Sequence, residues 1–434
     1  MSKLPKYMTY KDSGVEWLGK IPEHWEVKPG FTILYEAKEK NKGMKRNTVL
    51  SLSYGKIRIK EEEELTGLVP ESFETYQLVN KGDIIFRPTD LQNDHVSLRS
   101  GISEFEGIIT SAYLNLRLRP IANNKFYSYF FRGIDNNKVI YGLGSGLRQN
   151  IDFRDFKRFD FPFPPLPEQT AIANFLGRKT ELIDKAIAIK VKQIELLKER
   201  RQILIHRAVT RGLNPNVKLK DSGVEWIGEI PEGWILLAMN YAINAIADVD
   251  HYMPPTIERG IPYVMTGDLE EFASDIDFDG CKKVSQRDYY NLSKKIKCSL
   301  GDVILARYAT IGTASYIDVD LNFLVSYSCV TIKTNPPKLL GLYLFYYFKS
   351  NAFAIDVSNQ VNTNTQGNVG IGNLKKVKLI LPPINEQKDI IEYIKNITTK
   401  IATAISLKEQ EIEKLKEYKA SLINEAVTGK VMVG

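Results

Sequence analysis

The chain reads as an α/β (α+β) protein written twice: two globular blocks, each followed by one long helix. Three observations predict this. A sixteen-residue segment recurs, YKDSGVEWLGKIPEHW at 10–25 and LKDSGVEWIGEIPEGW at 219–234, with 12 of 16 positions identical. A proline pair follows each copy at a distance, in PPLPEQTAI from Pro164 and in PPINEQKDI from Pro382. Behind each pair, apolar or long aliphatic side chains fall every three or four residues. Internal repetition organises a sequence before any local signal does. It divides this one into a first block (1–165), a first helix (166–211), a second block (212–383) and a second helix (384–434).

All four tryptophans lie in the repeated segments, as Trp17, Trp25, Trp226 and Trp234. Large rings at matched positions predict matched packing, so these four are assigned to scaffold. Each block then carries a Gly-Asp followed by a strand-like run, GDIIFRPTD (82–90) and GDVILARYATIG (301–312). An aromatic helix-like run follows, KFYSYFFRG (125–133) and LYLFYYFKS (342–350). Each ends on an Asn, an apolar residue and a basic strand, RQNIDFRDFKRFDFPFPP (148–165) and QGNVGIGNLKKVKLILPP (366–383). Alternation and β-branched content mark the blocks as mixed α and β.

The prolines stop the preceding strand. Glu168 and Glu386 fall in the first helical turn, where a carboxylate meets the positive end of the helix dipole. The seam of the first helix is Leu176, Lys179, Ile183, Ile187, Lys190, Ile194, Leu197, Arg201, Leu204 and Ala208. That of the second runs from Ile394 through Ile401, Ile412, Leu415 and Leu422 to Ala426. Such heptad-like spacing predicts a long helix that packs on another helix. Lys179, Lys190 and Arg201 interrupt the first seam, with stems able to cover it while the charges reach water. Gly212 and Gly429 suit helix ends.

Of the 434 residues, 43% are hydrophobic and 26% charged, with net charge +7. This is ordinary globular composition, basic enough to permit a nucleic-acid partner. Three cysteines without CxxC spacing argue against a disulfide framework or a cysteine zinc site. No apolar signal core opens the chain. The most apolar run, Leu339 to Phe348, is far short of the roughly 20 residues that span a bilayer, so no membrane partner and a cytoplasmic location are expected.

Catalytic signals are incomplete. The histidines His24, His95, His206 and His251 have no metal-ligand spacing. TNPPK (334–338) carries Lys338 where a methyltransferase loop needs a base-stacking aromatic. GLGSG (142–146) lacks the lysine of a phosphate loop. Binding fits better, because Arg, Lys, Asn, Gln and Thr are the residues that meet phosphates and base edges. They cluster in three matched places. One follows Gly-Asp: Arg87 and Thr89 against Arg307 and Thr310. Another precedes the last strand: Arg148, Gln149 and Asn150 against Gln366 and Asn368. The third is the basic strand start, Lys157 and Arg158 against Lys375, Lys376 and Lys378.

The paired tryptophan segments, PPLPEQTAI and PPINEQKDI, and GDVILARYATIG resemble the specificity (S) subunits of type I restriction–modification systems, the HsdS family. The resemblance runs over essentially the whole chain. It implies two target recognition domains that each read one half of a bipartite double-stranded DNA target, and two helices that pair antiparallel and set the spacing. It implies two methyltransferase (M) subunits docked on the helices and restriction/translocase (R) subunits beside them. The chain itself would be non-catalytic and hold no cofactor, with S-adenosylmethionine, ATP and Mg belonging to partner subunits in a bacterial or archaeal cell. Two rival readings are a coiled-coil adaptor without DNA readout and a fused DNA methyltransferase.

Overall fold

The computed structural model describes residues 4–64, 72–89, 91, 98–143, 150–361 and 367–433. It divides into two compact units, Met1–Val191 with Glu409–Gly434, and Lys192–Lys408. Each contains one globular block, the start of the helix that follows it and the end of the other helix. The α/β expectation holds in both.

At the centre of the first unit is a four-stranded antiparallel sheet in the order Leu34–Glu36, Leu114–Leu118, Ile84–Phe86, Ser100–Ile102. The second unit repeats it as Ile243–Ala247, Cys329–Thr334, Val303–Ala306, Ala314–Tyr316. Leu116 pairs with Ile84 as Ile332 pairs with Val303, which fixes the correspondence residue by residue. Around each sheet lie a hairpin (Tyr10–Asp12 with Lys20–Pro22; Leu219–Asp221 with Glu229–Pro231) and a strand pair (Glu26–Pro29 with Asp160–Phe163; Ile235–Ala238 with Lys378–Leu381).

The Gly-Asp signature is a turn device. Gly82 (φ 94°) and Gly301 (φ 88°) take the left-handed conformation that a side chain resists. Asp83 and Asp302 then accept from the backbone N–H of Asn80 (2.9 Å) and Ser299 (2.8 Å). Each carboxylate also holds a cation from the corresponding site on the neighbouring strand, Arg117 at 2.8 Å and Lys333 at 2.6 Å. The aromatic runs form the helices Asn124–Asn136 and Gly341–Phe348, whose rings fill the cores. Among the described residues no helix is long and apolar enough to cross a membrane.

The long helices are Leu166–Arg211 and Ile384–Val427. In the first unit Lys419 meets Asp184 (2.6 Å) and Lys190 meets Glu411 (2.5 Å), so numbers rise along one helix as they fall along the other. The pair is antiparallel there. In the second unit the end of the first helix, at Ile205, Ala208 and Val209, shares a core with the start of the second, at Ile390 and Ile394. The seam interruptions are therefore more than stems that snorkel. Lys190 pairs with an acid of the facing helix, and Arg201 with Glu271 of the second block. Lys179 alone of the first seam stands exposed.

Trp25 and Trp234, both fully buried, explain the repeated segment. The Trp25 indole N–H donates to Glu168 (3.0 Å), in the first turn of the central helix. Its ring faces Gly429, just past the end of the C-terminal helix, where a Cβ would lie 3.1 Å from the ring. Trp234 donates to Glu386 (2.9 Å) and faces Gly212, again 3.1 Å from a built Cβ. Both glycines have positive φ, 71° and 75°. Thus one indole clamps the start of one helix to the end of the other, once per unit. The neighbouring Gln169 and Gln387 are buried too. Their side-chain N–H groups donate to Pro164 and Pro382, and their carbonyls accept from the N–H of Asn123 and Leu340, where the aromatic helices begin. PPxxEQ is therefore a joint, with Glu for the tryptophan and Gln for the aromatic helix.

Candidate nucleic-acid interface

Antiparallel order brings alternate strand ends to one side of a sheet. In the first unit the chain after Glu36, before Leu114, after Phe86 and before Ser100 meets at one end. In the second, the matching segments follow Ala247, precede Cys329, follow Ala306 and precede Ala314. Two of the three sequence clusters meet here. Ile151 N–H donates to Pro88 (2.9 Å), which sets exposed Asn150 beside the Arg87–Thr89 turn. Val369 N–H donates to Arg307 (3.0 Å), and Asn368 bridges Tyr308. Thr89 and Thr310 are exposed. Arg148, Gln149 and Gln366 lie outside the described residues.

The third cluster does not join them. Lys157 and Arg158 end a short helix, Phe153–Arg158, which a capping box at Asp152 starts, and the strand begins only at Asp160. Lys375 likewise follows the helix Ile371–Leu374, ahead of the strand at Lys378. This corrects the expected basic strand start for all of its residues but Lys378, which does open its strand. The first pair lines a cleft of about 800 Å³ with Arg154, Trp17 and Phe159. Trp17 stacks on Phe159 (5.3 Å, 17°), while Trp226 is 37% exposed. So Trp25 and Trp234 are scaffold throughout, and Trp17 and Trp226 face partly outward.

Strand register changes one pairing. Arg87 N–H donates to Arg99 as Ala306 N–H donates to Thr313, so Arg87 corresponds to Ala306 and Pro88 to Arg307. The two arginines are one residue out of phase, and one residue along a strand turns a side chain to the other face. Arg307 is buried. Its guanidinium pairs with Asp248 and touches His251 Nε2 at 3.0 Å. Lys295 holds the other Asp248 oxygen at 2.7 Å. Burial raises the Asp248 pKa, but Lys295 and Arg307 outweigh it and hold the carboxyl below the usual range. Arg307 thus stands behind this end of the sheet rather than on it. Arg99 does the same in the first unit, fully buried and donating to the Thr89 carbonyl at 2.7 Å.

Other residues reach this end that sequence patterns do not mark. In the first unit Lys40 donates to Ser111 (2.6 Å) and to the Thr75 carbonyl (3.2 Å). In the second, His251 is 58% exposed and stacks on Tyr327 (4.7 Å, 27°). They come from segments far apart in the chain, so no local spacing could announce them. Among the described residues no group of three or more His, Cys, Asp or Glu side chains is placed to hold a metal. The cysteines are free, and burial pushes the thiols of Cys281 to about 11 and of Cys298 and Cys329 to about 12, which suppresses their reactivity.

Residues 25–198 and 250–417 each match the family model described as the type I restriction modification DNA specificity domain. The chain is similar to the type I restriction enzyme MjaVIII specificity subunit of Methanocaldococcus jannaschii, 24% identical over 95% of this chain and 94% of the relative. It is also similar to the EcoBI specificity subunit of Escherichia coli, 24% identical over 57% and 53% of the two chains. In fold it resembles a chain solved in work on complex assembly and conformational transition of the type I R-M system (TM-score 0.69, 14% identical, 94% of this chain and 98% of that one). The HsdS subunit from Thermoanaerobacter tengcongensis shares the fold at TM-score 0.54, with 14% identity over 96% of this chain and 99% of that one. With two matched domains that together take in most of its length, the chain belongs to the type I restriction–modification DNA specificity family.

Proposed function

We propose that this chain reads a bipartite double-stranded DNA target, one half-site per unit, for a type I complex whose catalytic groups lie in other subunits. One observation carries the reading. Two sheets of the same topology and register present different polar side chains at the same end. Lys40, Thr89 and Ser111 stand there in the first unit, and His251, Thr310 and Tyr327 in the second. A shared frame with divergent loop ends is what two readers of different sequences require. Lys157, Arg158, Lys375 and Lys376 are exposed cations, suited to phosphates and so to salt-dependent affinity.

Methyltransferase subunits would dock on the helices. On the central helix Leu182, Ile189, Leu196 and Ile203 recur every seven residues and are each more than half exposed. An apolar row in solvent marks a surface made for a partner. S-adenosylmethionine, ATP and Mg would bind partner chains.

The test is adenine methylation across the host genome with and without this gene, and with the two blocks exchanged for those of a relative. A split motif that disappears with the gene, and changes in one half when one block is exchanged, supports the reading. A continuous motif breaks the two-reader model, and purified chain that methylates DNA alone establishes the fused-enzyme alternative.

A further inference from the structure

We infer that His251 is a base-reading residue of the second unit, locked as a hydrogen-bond donor through Nδ1 by Arg307 and Tyr327. The inference rests on the DNA-reading proposal above and narrows it to one atom. Arginine has donors only, so the imidazole nitrogen 3.0 Å from its guanidinium must accept. An imidazole that accepts at Nε2 carries its proton at Nδ1. Asp248 cannot claim the ring, because its oxygen lies 3.6 Å from Nε2, too long for a hydrogen bond, and is already held by Arg307. Arg307 is fixed in turn, 7% exposed, its charge matched by Asp248 and its Cζ 4.6 Å from the Tyr308 ring centroid.

The ring is also held by its faces. It stacks on Tyr327 at 4.7 Å and meets the Tyr308 ring nearly edge-on at 6.5 Å. Yet more than half of the side chain faces solvent. A half-exposed ring held at one nitrogen and on one face, beside the Arg307–Gly312 loop, is an uncommon use of a surface histidine, because fixing a side chain costs conformational entropy.

Position in the repeat supports the assignment. Glu36 corresponds to Ile246 through their partners Leu116 and Ile332, so Asn41 corresponds to His251 and Ser111 to Tyr327. Asn41 is buried and spent on the Arg46 backbone. The His251 arrangement thus belongs to one reader only, as a residue that recognises one half-site must.

A donor meets acceptors in the major groove on guanine, adenine and thymine, but an amino group on cytosine. His251 therefore selects against cytosine at one position of the second unit's half-site. The experiment is genome-wide adenine methylation by the full complex carrying wild-type chain, His251→Ala or His251→Phe. Phe keeps an aromatic ring for Tyr327 and removes both ring nitrogens, the Nδ1 donor and the Nε2 acceptor of the Arg307 bond. We expect both variants to relax one position in one half of the motif, with methylation of cytosine-bearing sites rising about tenfold, and the other half unchanged. If Ala abolishes methylation through misfolding, relaxation in Phe alone still carries the assignment. An unchanged motif in His251→Phe overturns it, as does loss of all methylation in both variants. Wild-type chain that supports no split motif sinks the two-reader proposal itself, a different result from an intact motif that ignores His251→Phe.

Discussion

The two units solve the same packing problem with the same residues and then part company at one end of one sheet. Trp25 and Trp234, Gln169 and Gln387, Gly429 and Gly212 occupy corresponding places and make corresponding contacts. At the reading end the correspondence stops: Pro88 stands where Arg307 does, Lys38 where Asp248 does, and Asn41 where His251 does. The lesson is a division of labour along the strand. Residues that join block to helix are constrained by partners that recur, while residues past the strand ends have only the target to satisfy.

Substitutions can break or sharpen that comparison. The largest effect is expected from Trp25→Ala and Trp234→Ala, each costing about 3–5 kcal/mol for a lost buried ring. Hydrogen exchange read by mass spectrometry should show each loosening its own unit, and either variant loosening both equally would deny that there are two frames. Next comes Asp248→Ala, which strands Arg307 as a buried charge and should cost about 3 kcal/mol. Its counterpart Lys38→Ala removes only a surface ion pair, from a side chain 75% exposed, and should stay within about 0.5 kcal/mol by urea unfolding.

The clamps differ in a smaller way. Glu168 accepts from Tyr7 (2.5 Å) and Trp25 (3.0 Å) and meets His24 at 2.8 Å, whereas among the described residues Glu386 accepts from Trp234 alone, at 2.9 Å. Removing the charge with Glu168→Gln should cost about 2 kcal/mol and Glu386→Gln about 1 kcal/mol. Equal shifts in thermal melts would mean that Tyr7 and His24 add nothing. The smallest effect is in acid. The Asp248 pKa is depressed below its ordinary 3.8, so its contribution is present above that value and is lost as pH falls through the lower folded one. Asp248→Asn should remove this part of the acid dependence, while every first-unit variant should leave it in place.

The frame was legible in the sequence because it is repeated. Tryptophans, prolines and the EQ pair recur at matched positions, and a seam every three or four residues names its helix without help. What the repeat could not disclose was direction. Glu168 looked like a dipole residue because its indole partner sits at Trp25, far upstream. Arg87 and Arg307 looked matched because both follow Gly-Asp, yet ladder hydrogen bonds, invisible in a linear reading, place them one step apart. The end of the sheet proposed to read DNA was half visible. Residue type picks out Thr89, Asn150, Thr310 and Asn368, which lie there, while Lys40, His251 and Tyr327 arrive there only through strand order.

The clamp at Trp25 also sets a timetable. The first unit is closed by residues 409–434, which the ribosome adds after the whole of 192–408. At ordinary elongation speeds that interval is on the order of ten to forty seconds. The block made first is therefore finished last, and its helix-facing tryptophan must wait, uncovered, for the far end of its own chain. For the second unit the helix end that covers Trp234 is already made when that residue emerges, and only the helix start that carries Glu386 is still to come.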